Sequence, residues 1–154
     1  MTSAVRSGRV LALDIGRRRT GLALSDATGT LATPYGVITA QPPLAEVLRT
    51  ADQLAAEPDG LAAIVVGRPL HLDGRASAET ATVDAFVARL RTRTALPVFV
   101  QDERLSSVEA ESRLAAGEPD WRRRKPRLDA AAAAVILQDF LDQPLRPAAA
   151  ERAR

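Results

Sequence analysis

Arg9-Val10-Leu11-Ala12-Leu13-Asp14-Ile15-Gly16-Arg17-Arg18-Arg19-Thr20-Gly21-Leu22-Ala23-Leu24-Ser25 opens the ordered part of the chain. Arg9 to Asp14 is a short apolar run that ends in an acid, which predicts a buried strand with a carboxylate at its end. Thr20 to Ser25 predicts the antiparallel partner, with Gly16 to Arg19 as the turn between them. An acid placed at a strand end is held by a rigid scaffold. Gly16 lets the backbone turn tightly and lets an ion or a phosphate come close. The same Asp-x-Gly is also a common turn signal between hairpin strands, and on this tripeptide alone both readings stand.

Outward from this hairpin, Tyr35 to Thr39 predicts a short third strand. Pro42-Pro43 opens a helix to about Ala56, with Leu44, Val47, Leu48, Ala51, Leu54 and Ala55 at helical spacing. Leu61 to Val66, bounded by Gly60 and Gly67, predicts a central strand, and Gly67 to Gly74 a loop. Ala76 to Arg93 predicts a helix and Pro97 to Gln101 a strand. Ser106 and Glu109 form an S-x-x-E capping box that starts a helix running to Ala116. Glu118 to Arg127 is polar and basic and predicts a loop; Leu128 to Leu141 predicts the last helix. A hairpin meander followed by alternating helix and strand gives an α/β mixed five-stranded sheet flanked by helices, in the order of a ribonuclease H-like fold. Residues 9–142 form that single domain, between a flexible terminus at 1–8 and a disordered tail at 143–154.

Two further acids fall at comparable places. Glu103 follows the run Val98-Phe99-Val100 within Asp102-Glu103-Arg104-Leu105-Ser106-Ser107. Successive strand side chains face opposite ways, so one of Asp102 and Glu103 reaches the site, and Glu103 is favoured. Asp129 opens an alanine-rich helix. It suits an N-cap, but it also heads the stripe Ala132, Ala133, Ile136 and Phe140, which is spaced to face the sheet. Three converging carboxylates without histidine or cysteine suit hard cations such as Mg²⁺ or Mn²⁺. Two such ions side by side are an established means of hydrolysing phosphodiesters.

Composition narrows the classes. The chain has 154 residues, enough for one core, of which 46% are hydrophobic and only 3% aromatic. The absence of cysteine excludes disulfides, thiol catalysis and cysteine-ligated zinc. The sole histidine, His71, can form neither a zinc site nor a triad, and reads as a surface or substrate-contact residue. No run spans a bilayer, so a cytoplasmic protein with no membrane partner is expected. The net charge is only +2, but Arg17-Arg18-Arg19 and Arg122-Arg123-Arg124-Lys125-Pro126-Arg127 flank Asp14 and Asp129. Such clusters beside acids would attract a polyanionic backbone. Arg17, Arg18, Arg19, Arg104, Arg123 and Arg124 are the candidate nucleic-acid contacts, the plainer alternative being solvated loops.

Leu13-Asp14-Ile15-Gly16 with Thr20-Gly21-Leu22-Ala23, Val66-Gly67-Arg68-Pro69-Leu70-His71-Leu72-Asp73-Gly74, Asp102-Glu103-Arg104-Leu105-Ser106-Ser107, and Asp129-Ala130-Ala131-Ala132 running to Ile136-Leu137 together resemble the YqgF family. Its members are Holliday junction resolvase-like proteins regarded as pre-16S rRNA nucleases. The four motifs occur in family order across most of residues 9 to 142. The resemblance implies a ribonuclease H-like fold, Asp14, Glu103 and Asp129 as catalytic, metal-binding acids, and a role in maturing the 5′ end of 16S rRNA in the cytoplasm. Arg68 and His71 depart from the family's usual Leu and Asn, which touches substrate contacts rather than the acids. Three other readings remain: a resolvase of branched DNA, which would act as a homodimer rather than a monomer, a non-catalytic binder of structured RNA, and an ATPase whose phosphate loop is Asp14-x-Gly16 with Thr20-Gly21.

Overall fold

A computed structural model describes residues 8–71, 73–103 and 121–144, with side chains for all of these except 121–127. Strand β1 (Arg9–Ile15) pairs antiparallel with β2 (Thr20–Ser25), which pairs antiparallel with β3 (Ala32–Ile38). Helix α1 (Leu44–Ala56) leads to β4 (Leu61–Arg68), helix α2 (Ala78–Arg93) leads to β5 (Val98–Asp102), and helix α3 (Trp121–Leu141) follows. β4 lies parallel to β1 on its other side, and β5 lies parallel to β4, so the order across the sheet is β3-β2-β1-β4-β5. A three-stranded meander joined to parallel strands through helical crossovers is the ribonuclease H-like arrangement.

The alternation along β1 divides the core. Leu11 and Leu13 face α1 and α2, packing with Leu22, Ile64, Val66, Val47, Leu54, Val87 and Leu90. Val10 and Ala12 face α3, packing with Ala23, Val65, Phe99, Ala133, Leu137 and Phe140. Alanines on both the sheet and the helix let α3 lie close. The Phe99 and Phe140 rings, with centroids 5.2 Å apart and planes at 45°, pin its far end to β5. At the other edge the Gln138 amide donates to Thr30 O at 3.0 Å and accepts from Ala32 N at 3.0 Å, tying the helix to the β2–β3 hairpin. That hairpin closes on Asp26, whose carboxylate accepts from Thr30 N at 2.8 Å and Leu31 N at 3.1 Å.

Several elements depart from the sequence expectation in extent. β3 begins at Ala32 rather than Tyr35, because Pro34 is tolerated on an edge strand. β4 continues through Gly67 to Arg68, so the first two residues of the expected loop are strand. Trp121 to Arg127, expected as loop, belongs to α3: arginine and lysine are good helix formers, and the helix runs on through Pro126. The helix expected at Ser106 to Ala116 lies outside the described residues, as do most of the expected flexible terminus and tail.

Candidate active site

Parity along the strands places the site on the α3 side of the sheet, at the carboxyl ends of the parallel strands. Asp14 follows Val10 and Ala12 on that face, and its partner across β2 is Gly21. On its other side β4 continues one step past the Leu13–Val66 pair to Gly67. Asp14 therefore stands between two glycines. A Cβ at Gly67 would lie 2.6 Å from Ile136 Cδ1 and 3.1 Å from the Glu103 carboxyl, so Glu103 folds back across Gly67 towards β1. A Cβ at Gly21 would lie 1.9 Å from the carbonyl oxygen of Asp129, so the backbone of α3 at Asp129 rests directly on β2. The two glycines are a trough through which the second and third acids approach the first.

Asp14 and Glu103 meet in this trough, the Glu103 carboxyl hydrogen-bonding the Asp14 side chain. Burial pushes the Asp14 carboxyl above the usual carboxylate range. The bond to Glu103 pulls it back in part, and the nearby negative charge of Asp129 pushes it up again. Two carboxyls in hydrogen-bond contact require either a proton between them or a cation. The pair thus fits a divalent ion in donor type, oxygen only. Asp102, one residue earlier, is exposed, in keeping with strand alternation.

Asp129 heads the buried stripe of α3 as expected, with Ala132, Ala133, Ile136 and Phe140 all buried. Its carboxylate is engaged elsewhere: Arg19 Nε donates to Oδ2 at 2.6 Å. Among the described residues, no group of three or more His, Cys, Asp or Glu side chains is gathered so that it could hold a metal ion. Asp14 and Glu103 are together, and Asp129 is close enough for Asp14 to feel its charge but faces Arg19. Of the candidate nucleic-acid contacts, Arg18 is exposed, while Arg17 is exposed and reaches Glu79 at 3.3 Å. Arg123 and Arg124 lie in the early turns of α3, with side chains outside the described set, and Arg104 lies outside the described residues.

Sequence reasoning missed the roles of Gly21 and Gly67, and of Arg19 as a partner of Asp129. The signal was present for the glycines: an isolated glycine inside or ending an apolar strand marks a close approach by another chain segment. Arg68, which departs from the family's usual residue, forks onto Asp84 of α2 with Nε at 2.9 Å from Oδ1 and Nη2 at 3.0 Å from Oδ2. Its role in this structure is to clamp the end of β4 to α2. His71 is exposed, and its amide donates to Arg75 O at 2.9 Å within the loop.

Residues 8–143 match the family described as RuvX, Holliday junction resolvase. The chain belongs to this family. A protein of Clavibacter michiganensis subsp. michiganensis named "Putative pre-16S rRNA nuclease" is 42% identical over 138 residues, covering 90% of this chain and 85% of its own. One of the same name from Anaeromyxobacter sp. is 43% identical over 134 residues, covering 87% of this chain and 96% of its own. Among solved structures, RuvC of Thermus thermophilus aligns over 86% of this chain and 93% of its own, with a TM-score of 0.47 and 16% identity.

Proposed function

We propose that this RuvX-family chain is a divalent-metal-dependent nuclease that hydrolyses phosphodiester bonds at the 5′ end of pre-16S rRNA during ribosome assembly. The observation that carries the chemistry is the contact between the Asp14 and Glu103 carboxyls over the Gly67 trough. The substrate is taken from the names of relatives about 40% identical over nearly the whole chain. Asp14, Glu103 and Asp129 are the residues that would hold Mg²⁺ or Mn²⁺, two ions in the fullest arrangement. When bound, such ions activate a water and stabilise the leaving oxygen of a phosphodiester. The chain itself supplies the partly desolvated Asp14–Glu103 pair with the charge of Asp129 nearby, which makes cation binding favourable by relieving repulsion between the acids. Arg17 and Arg18 project from the turn that follows Asp14 and offer contacts to backbone phosphates. No helix among the described residues is long and apolar enough to cross a membrane; the cytoplasm as the place of action follows from the proposed rRNA substrate.

A second reading, cleavage of branched DNA by a homodimer, is favoured by the family's description as a Holliday junction resolvase. A labelled 16S rRNA precursor and a four-way DNA junction, each incubated with the protein in Mg²⁺, in Mn²⁺ and in chelator, separate the two. The proposal expects cleavage of the RNA near the mature 5′ end, dependent on the ion. Junction cleavage alone would replace it with the second reading, and cleavage in chelator would remove the metal from either.

A further inference from the structure

The Arg19–Asp129 pair is the feature of this site that a plain three-acid reading leaves unexplained. The 2.6 Å bond from Arg19 Nε to Asp129 Oδ2 joins side chains only 25% and 28% exposed. It is a charge-assisted contact, shielded enough from solvent to hold. Arg19 lies in the short turn that follows the strand carrying Asp14, whereas Asp129 comes from the far end of the chain. The pair therefore bridges the two halves of the site. Meanwhile the main chain at Asp129 is fixed, since its carbonyl presses on Gly21. Only the side chain is left to choose between Arg19 and the Asp14–Glu103 pair.

We propose that Arg19 is an exchangeable counter-ion for Asp129. It holds this carboxylate until a divalent cation at Asp14 and Glu103 takes it over, and the freed guanidinium then binds a backbone phosphate. This rests on the metal-nuclease reading above. The physical basis is competition between two positive groups for one carboxylate. A dication at Asp14 and Glu103 attracts Asp129 and repels the guanidinium beside it. Arginine released in this way presents a planar fork suited to phosphate. Cation binding and polyanion binding then assist each other through one residue, and by linkage the coupling is reciprocal. Arg19 is in this sense a positioning residue, acting on the site through Asp129.

The test is the affinity of the full-length protein for Mn²⁺, followed by the paramagnetic resonance of the free ion, in wild type, Arg19→Gln and Arg19→Lys. Exchange predicts that Arg19→Gln binds Mn²⁺ about 5- to 10-fold more tightly, because the competitor is gone, and that Arg19→Lys stays near wild type. If Arg19 merely props Asp129 in place, Arg19→Gln binds Mn²⁺ equally or more weakly, and the proposal is overturned. Should wild type and both variants fail to bind Mn²⁺, the metal reading itself falls and the exchange with it. A second measurement reads the same exchange from the Asp129 side, in a variant that keeps Arg19. In chelator, Asp129→Asn should bind a 16S precursor fragment about 5- to 10-fold more tightly than wild type, and adding Arg19→Gln should abolish that gain. A gain that survives in the double variant would reflect the lost negative charge alone and would contradict the proposal.

Discussion

At the residue scale, Asp14 is placed against its own electrostatic preference. Burial raises the Asp14 carboxyl above its ordinary range, so at neutral pH the ionised side chain costs the metal-free protein stability. Asp14→Asn should therefore melt at a higher temperature than wild type in chelator while losing cleavage, as expected where function is built on strain. A lower melting temperature would show that contacts of the charged form outweigh its burial. Arg68 and Asp84 illustrate the opposite sign. The guanidinium fork holds the Asp84 carboxyl below the usual range, so the pair contributes stability above the unfolded carboxylate's pKa and loses it as pH falls through the folded value. Both side chains are partly exposed, and the contribution is at most about 1 kcal/mol. Denaturation of wild type and Asp84→Asn across acid pH should show a gap at pH 6 that closes towards pH 2. Alternation limits the approach to one of Asp102 and Glu103, and Glu103 is the one that meets Asp14. The engagement of Asp129 by Arg19 was not, because a pairing of residues 110 apart in sequence leaves no local pattern.

At the element scale, two glycines decide where the acids sit, and they should behave differently when filled. Gly21→Ala puts a methyl against the fixed main chain of α3, which cannot yield without moving the helix. We expect a loss of about 1–3 kcal/mol, measured by denaturant unfolding, together with weakened Mn²⁺ binding. Gly67→Ala meets the Ile136 Cδ1 end and the Glu103 carboxyl instead. Combining it with Ile136→Val removes the first collision and leaves the second. Stability should recover towards that of Ile136→Val alone, while Mn²⁺ affinity stays reduced. Recovery of both would mean that Gly67 serves packing only. The sequence carried the strands well, since each has an apolar run with clear ends. It was misleading where a breaker residue sits in a tolerant place, as with Pro34 at a sheet edge and Pro126 in α3.

At the scale of the whole molecule, the sheet separates support from chemistry. α1 and α2 bury one face with larger aliphatic side chains, and nothing proposed for the site depends on that face. α3 covers the other face through alanines, close enough for its backbone at Asp129 to touch β2 beside Asp14. The order of elements and the family motifs make this architecture legible in the sequence. What they could not convey is depth: how near α3 lies is set by small residues on two elements at once, and appears only when they are packed. The proposed function makes the carboxyl cluster at Asp14 a metal-dependent phosphodiesterase centre for pre-16S rRNA. The most direct measurement follows cleavage and binding of a 5′-extended 16S precursor by wild type and Asp14→Asn in Mg²⁺ and in Mn²⁺. On the proposed function, wild type cleaves near the mature 5′ end and Asp14→Asn binds without cleaving. Full cleavage by Asp14→Asn would contradict it.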